Sequence, residues 1–200
     1  MPIKLRPRPS DEHVVQSIAY VATSPAEAMP GIAGIDDGDV SQAYVAHPYP
    51  IYISDYERLS EQRFFEDAEL AGWQYIVFRA DDVLALANAT YLDDAKELTL
   101  AEVEDDGMGI EIVEAINGAT EITTEASDDF ELRLLNAPSI PLHAIWLFAE
   151  ATEGNGDLLF LVSPLGTELT TKRPYSREEV ITALRQIVES RSSTDEFQRR

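Results

Sequence analysis

The sequence predicts an α+β fold: an antiparallel sheet of about four to six strands with three or four helices packed on it. Three observations predict it. Helix-start signals recur ahead of stretches that place apolar residues every three or four positions. Short β-branched and aromatic runs of strand length lie between them. A regular strand–helix–strand alternation is absent, which disfavours a doubly wound parallel sheet.

Taken in order, residues 1–9 interleave Pro2, Pro7 and Pro9 with Lys4, Arg6 and Arg8, a basic arm that favours extended backbone. Ser10 is expected to cap a helix with Asp11 and Glu12 in its first turn, and Val14, Val15, Ile18, Val21 and Ala22 form its apolar face. Ser24-Pro25-Ala26-Glu27 is a second start, stopped by Pro30-Gly31, and residues 31–39 read as a loop. The prolines of His47-Pro48-Tyr49-Pro50 exclude a central strand, so Ile51-Tyr52-Ile53 fits a short edge strand. Ser54-Asp55-Tyr56-Glu57 is a capping box, with Tyr56, Leu59, Phe64, Ala68 and Ala71 marking a helix that ends at Gly72.

Trp73 to Phe78 reads as a strand, Arg79 to Asp82 as a turn, and Val83 to Thr90 as the returning strand, although its alanines and leucines also suit a helix. Leu98 to Val103 fits either state. Gly107 to Ile116 is a helix with Gly118 just past its end. Phe130, Leu132 and Leu134 alternate as on a strand with one partly wet face. Leu142 to Ala149 and Leu158 to Val162 form a hairpin around a long glycine-containing loop, and Pro164, Gly166 and Pro174 end the sheet. Ser176-Arg177-Glu178-Glu179 is a capping box. Tyr175 is placed to staple onto Val180, and Leu184, Ile187 and Val188 complete the apolar face. The chain thus divides into a basic arm (1–9), one globular domain (10–189) and a frayed tail (190–200).

Composition narrows the chemistry. The absence of cysteine removes disulfides, thiolate nucleophiles and cysteine metal sites. The formal net charge is −22. It is uneven: residues 11–171 hold 32 carboxylates against Arg58, Arg63, Arg79, Lys96 and Arg133. Such a body repels nucleic acid and anionic membrane and attracts basic proteins. The N-terminus lacks the apolar core of a signal peptide, and no apolar run reaches membrane-spanning length, so a cytoplasmic location is expected.

No catalytic constellation emerges. A Gly-x-Ser-x-Gly elbow is missing, and Gly31-Ile32-Ala33-Gly34 and Gly107-Met108-Gly109 lack a nucleotide fingerprint and are flanked by repelling aspartates. Asp36-Asp37-Gly38-Asp39 and Glu104-Asp105-Asp106-Gly107 do not follow the ligand ladder of a calcium loop. No cofactor or metal is expected. His143 alternates with Ile145 and Leu147, while Ala144, Trp146 and Phe148 point the other way.

Two readings follow. The first is a non-enzymatic interaction protein binding a basic partner through clustered acids such as Asp105 and Asp106 and through the aromatic loop of Tyr44, His47 and Tyr49. Its basic arm, with Lys4, Arg6 and Arg8, would dock on a neighbouring copy to make an oligomer. The alternative is a small-molecule-binding domain or enzyme with a pocket at His143, Trp146 and Trp73.

Overall fold

The structure, a computed structural model, describes residues 3–7, 9–23, 43–55, 57–60, 63–91, 97–105, 107–123, 129–152, 154, 156–165, 169–171 and 173–198. The helix start at Ser24 and the loop at 31–39 lie outside them. The described chain runs β1 (Ile3–Lys4), α1 (Glu12–Thr23), β2 (Ala43–Val45), β3 (Tyr49–Ile53), α2 (Glu57–Ser60), β4 (Glu69–Arg79), β5 (Asp82–Tyr91) and β6 (Leu98–Asp105). It continues with α3 (Gly107–Thr123), β7 (Phe130–Ala137), β8 (Leu142–Ala149), β9 (Leu158–Leu161), β10 (Pro174–Tyr175) and α4 (Arg177–Gln198). The fold is α+β, with a large, mostly antiparallel sheet in the order β10-β9-β8-β7-β3-β4-β5-β6, and with β1 added to β7 and β2 to β4. Among the described residues none of the helices is long and apolar enough to cross a membrane.

Ten strands replace the expected four to six. Three of the additions, β1, β2 and β10, are two or three residues long and owe their extended state to pairing partners distant in sequence. The second correction concerns proline. β3 contains Pro50 yet lies between β7 and β4, not at an edge. The Ala46 N–H donates to Ile76 O at 2.9 Å, and the Ser54 N–H donates to Asn136 O at 3.1 Å. A residue without an N–H is accommodated between these two bonds.

The third correction is the helix expected from Ser54 to Gly72. Among the described residues of this segment only Glu57–Ser60 is helical, and residues 69–72 already belong to β4. The capping hydroxyl has another use: Ser54 Oγ donates to Phe64 O at 2.6 Å. Phe64 and Phe65 then turn edge-to-face into the core instead of continuing a helical face.

The chain's contacts fall into two compact units. The first holds Met1–Lys4, Tyr52–Leu70 and Glu114–Arg200. One face of its strands carries Leu135, Ala137, Leu142, Ala144, Trp146, Leu159 and Leu161, covered by Leu59 of α2, by Phe64 and Phe65, and by Val180 and Leu184 of α4. On the opposite face Phe160, paired with Ile145, meets α3 at Gly118. The capping box of α4 closes as the sequence implies: Ser176 N–H donates to Glu179 Oε2 at 2.8 Å and Glu179 N–H to Ser176 Oγ at 3.3 Å. Pro174 joins β10 instead of ending the sheet. α4 runs to Gln198, beyond residue 190 where the apolar periodicity stops, since no glycine or proline interrupts it.

The second unit holds Leu5–Ile51 and Ala71–Val113. Val14 and Ile18 of α1 pack on Trp73, Tyr75, Val77, Ala85, Ala87, Ala89 and Leu98. The cap of α1 is Asp11 rather than Ser10, because helix begins at Glu12 and Val15 N–H donates to Asp11 O at 3.0 Å. The Asp11 carboxylate is buried and accepts the Tyr75 hydroxyl at 2.8 Å, which ties the start of the helix to the sheet beneath it. β5 is a strand, and α3 passes through Gly118 without stopping.

Candidate functional site

Within the second unit, several elements end together. β4 and β5 form a hairpin closed by the pair Arg79 and Asp82, with Ala80 and Asp81 in the turn. Ala80 has φ 52°, in the left-handed region. Tyr44 of β2 stands opposite Phe78, and Phe78 stands opposite Val83. Gly109 near the start of α3 packs on Val83 so closely that a Cβ there would lie 2.6 Å from Val83 Cγ1. β6 reaches the same end, since Asp105 pairs with Ala85.

Strand alternation sorts these side chains. Val45 and Val77 face the α1 core, so Tyr44, Phe78 and Val83 share the other face. There the Tyr44 and Phe78 rings stack with centroids 5.4 Å apart and planes inclined by 15°. Tyr44 keeps 52% of its surface exposed and nearby Ile110 keeps 50%. The near-parallel stack covers one face of the Tyr44 ring. Asp81, Asp82 and Glu111 are exposed at this end, and the backbone of Asp105 arrives beside them. Arg79 alternates with Phe78, so its side chain starts from the α1 face of the strand.

The residues expected to bind a partner are therefore only partly gathered. Tyr44 and the end of β6 at Asp105 lie at the same end of the sheet, separated by β4 and β5, while Asp106 lies outside the described residues. His47 is half-buried, with Nδ1 2.9 Å from the Pro48 carbonyl oxygen. Tyr49 is also half-buried, and burial raises its phenol pKa. Phe78 and Ile110 were not singled out by sequence. The polar turn at 79–82 marks the hairpin, but only the pairing of β2 shows that an exposed stack forms beside it.

The arm residues behave differently. Ile3 and Lys4 pair in parallel with Phe130 and Glu131 of the same chain. The Lys4 ammonium lies 2.8 Å from Asp129 and 3.7 Å from Glu150. Hydrogen bonding to Asp129 raises the Lys4 pKa, and the same contact lowers that of Asp129. Arg6 is partly buried, and Arg8 lies outside the described residues.

His143, Trp146 and Trp73 do not share a surface. Trp146 is buried in the α4-covered core of the first unit, where its Nε1–H donates to Asp157. His143 stands on the opposite face of β8, half-buried, and burial lowers its pKa. Trp73 is buried under α1 in the second unit and donates to the Tyr91 hydroxyl at 3.0 Å. Among the described residues no three His, Asp or Glu side chains gather as metal ligands, and Asp36, Asp37 and Asp39 lie outside them. No protein-family model, curated protein or solved structure matches the chain.

Proposed function

We propose that this chain is a non-enzymatic interaction protein whose acidic surface engages a basic partner protein. The observation that carries the reading is the partly exposed Tyr44–Phe78 stack at the sheet end where the exposed residues Asp81 and Asp82 close the β4–β5 hairpin. Exposed aromatic rings on a fixed backbone supply contact area at small entropic cost. Surrounding carboxylates steer an oppositely charged partner over roughly a Debye length, about 8 to 10 Å at physiological salt.

Several described cations of the first unit are held by that unit's own acceptors. Arg58 binds the Asp67 carbonyl and Glu69, Arg63 binds Asp67, and Arg133 binds Glu131 at 2.9 Å.

The test is capture from native lysate at low and high salt, followed by reconstitution with the purified basic protein. Its association rate is expected to fall steeply with ionic strength. The rate also drops when Asp81 and Asp82, or Asp105 and Asp106, are replaced by asparagine, with dissociation little changed. Association that ignores both salt and these substitutions overturns the reading.

A further inference from the structure

The first unit binds its own arginines by one repeated device, a guanidinium laid over an aromatic ring and hydrogen-bonded to a carboxylate. Arg133 lies 3.8 Å from the Phe148 centroid and 4.5 Å from that of Tyr52, with Nε 2.9 Å from Glu131. Arg177 lies 4.9 Å from the Phe65 centroid, with Nε 2.6 Å from Asp157. Arg173 lies 4.1 Å from the Tyr175 centroid and pairs with Glu179 at 3.2 Å.

The hairpin end of the second unit has the same two components. Tyr44 keeps half of its surface exposed, and the exposed residues Asp81 and Asp82 close the hairpin that begins one residue beyond its stacking partner Phe78. Among the described residues no cation lies over this ring.

Resting on the reading of an acidic interaction protein, we propose that the Tyr44–Phe78 stack is the seat of an arginine supplied by the basic partner. The partner is then a protein that presents arginine, rather than lysine, at its contact. The choice follows from the chemistry of the two side chains. A guanidinium is planar and weakly hydrated, so it stacks on a ring face while its edge N–H groups reach carboxylates. An ammonium is a compact, strongly hydrated point charge and gains less from the ring. The exposed Tyr44 face, backed by Phe78, is a flat platform of this kind, and the net charge of the chain provides long-range attraction for either cation.

Two synthetic peptides of equal length and charge separate the platform from the bulk charge: four Gly-Arg repeats and four Gly-Lys repeats, titrated calorimetrically into the full chain at low salt. The arginine peptide is expected to bind about fivefold tighter than the lysine peptide, the order of one exposed cation–π contact. Tyr44→Ala should reduce the arginine peptide to the lysine level and leave the lysine peptide unchanged. Tyr44→Leu, which keeps apolar packing on Phe78, should do the same, and Tyr44→Phe should retain the preference.

Equal, salt-dependent affinities for the two peptides overturn the arginine seat and leave the acidic reading standing. The same holds if Tyr44→Ala and Tyr44→Leu weaken both peptides equally or weaken neither. Failure of both peptides to bind at low salt overturns the acidic reading, and the seat with it.

Discussion

Arg177 Nε donates to Asp157 at 2.6 Å, and the Asp157 side chain is fully buried while that of Arg177 keeps 19% of its surface exposed. The carboxylate has further donors: it accepts the Trp146 indole and the Ala149 N–H. Arg177 in turn reaches Glu66 at 3.0 Å and lies over the Phe65 and Trp146 rings. One buried carboxylate thus joins the β8–β9 connection, the indole of β8 and the first turn of α4.

Removing one partner of this pair strands the other. Asp157→Leu is expected to cost about 3 to 5 kcal/mol, because the guanidinium, the indole N–H and a backbone N–H lose their acceptor together. The double variant Asp157→Leu with Arg177→Met should lose less than the sum of the single changes. Urea midpoints of the four proteins measure this coupling. Additive losses would mean that the two groups stabilise the fold independently.

Two glycines of the first unit separate conformational need from tolerance. Gly154 has φ 90° and is buried, with the Arg177 guanidinium occupying the space a Cβ would take. Gly154→Ala is therefore expected to destabilise by about 2 kcal/mol or more. Gly118 lies inside α3, and a Cβ there would meet Phe160 at an ordinary 3.9 Å. Gly118→Ala should stabilise by about 0.5 to 1 kcal/mol through helix propensity. Thermal unfolding of the two variants should move in opposite directions, and a loss at position 118 would show that the helix needs the glycine for close approach.

What the sequence conveys is what neighbours in sequence decide. The box at Ser176 and Glu179 and the alternation along Phe130, Leu132 and Leu134 are local, and both appear in the structure. The opposite orientation of His143 and Trp146 also follows from a period of two. The misread segments answer to distant partners. Ser54 carries a capping signature, but its hydroxyl goes to Phe64. Pro50 bars a continuous ladder and yet fits between two separate pairings. At the site, Tyr44 is visible as an aromatic residue, whereas its stack depends on the pairing of β2 with β4, and the arrival of Asp105 depends on the β5–β6 register. Neither has a local signal.

The hairpin turn beside the stack is strained in a correctable way. Ala80 occupies the first central position of a two-residue turn with φ 52°, where primed hairpin turns favour glycine. The left-handed conformation costs an L-residue about 1 to 2 kcal/mol, and glycine gives back about 0.5 to 1 kcal/mol in unfolded-state entropy. Ala80→Gly should stabilise by about 0.5 to 1 kcal/mol, and Ala80→Val should destabilise. Chemical unfolding of both variants checks the sign. A less stable glycine variant would show that the turn does not hold this conformation in solution.

His143 gives the fold a pH dependence of defined sign. Burial lowers its pKa from the ordinary 6.5, so the folded chain favours the neutral ring. At pH values between the folded and unfolded pKa, the unfolded chain binds more protons at this position. The stabilising contribution of the neutral ring is therefore fully present above the unfolded value, and it declines as pH falls through that value toward the folded one. His143→Gln removes this titration while His13 and His47 remain. The variant should lose less stability than the parent on going from about pH 7.5 to about pH 5, the range in which imidazoles titrate. Urea midpoints at the two pH values give the difference directly. Equal losses in parent and variant would mean that the acid sensitivity of the fold arises from other groups.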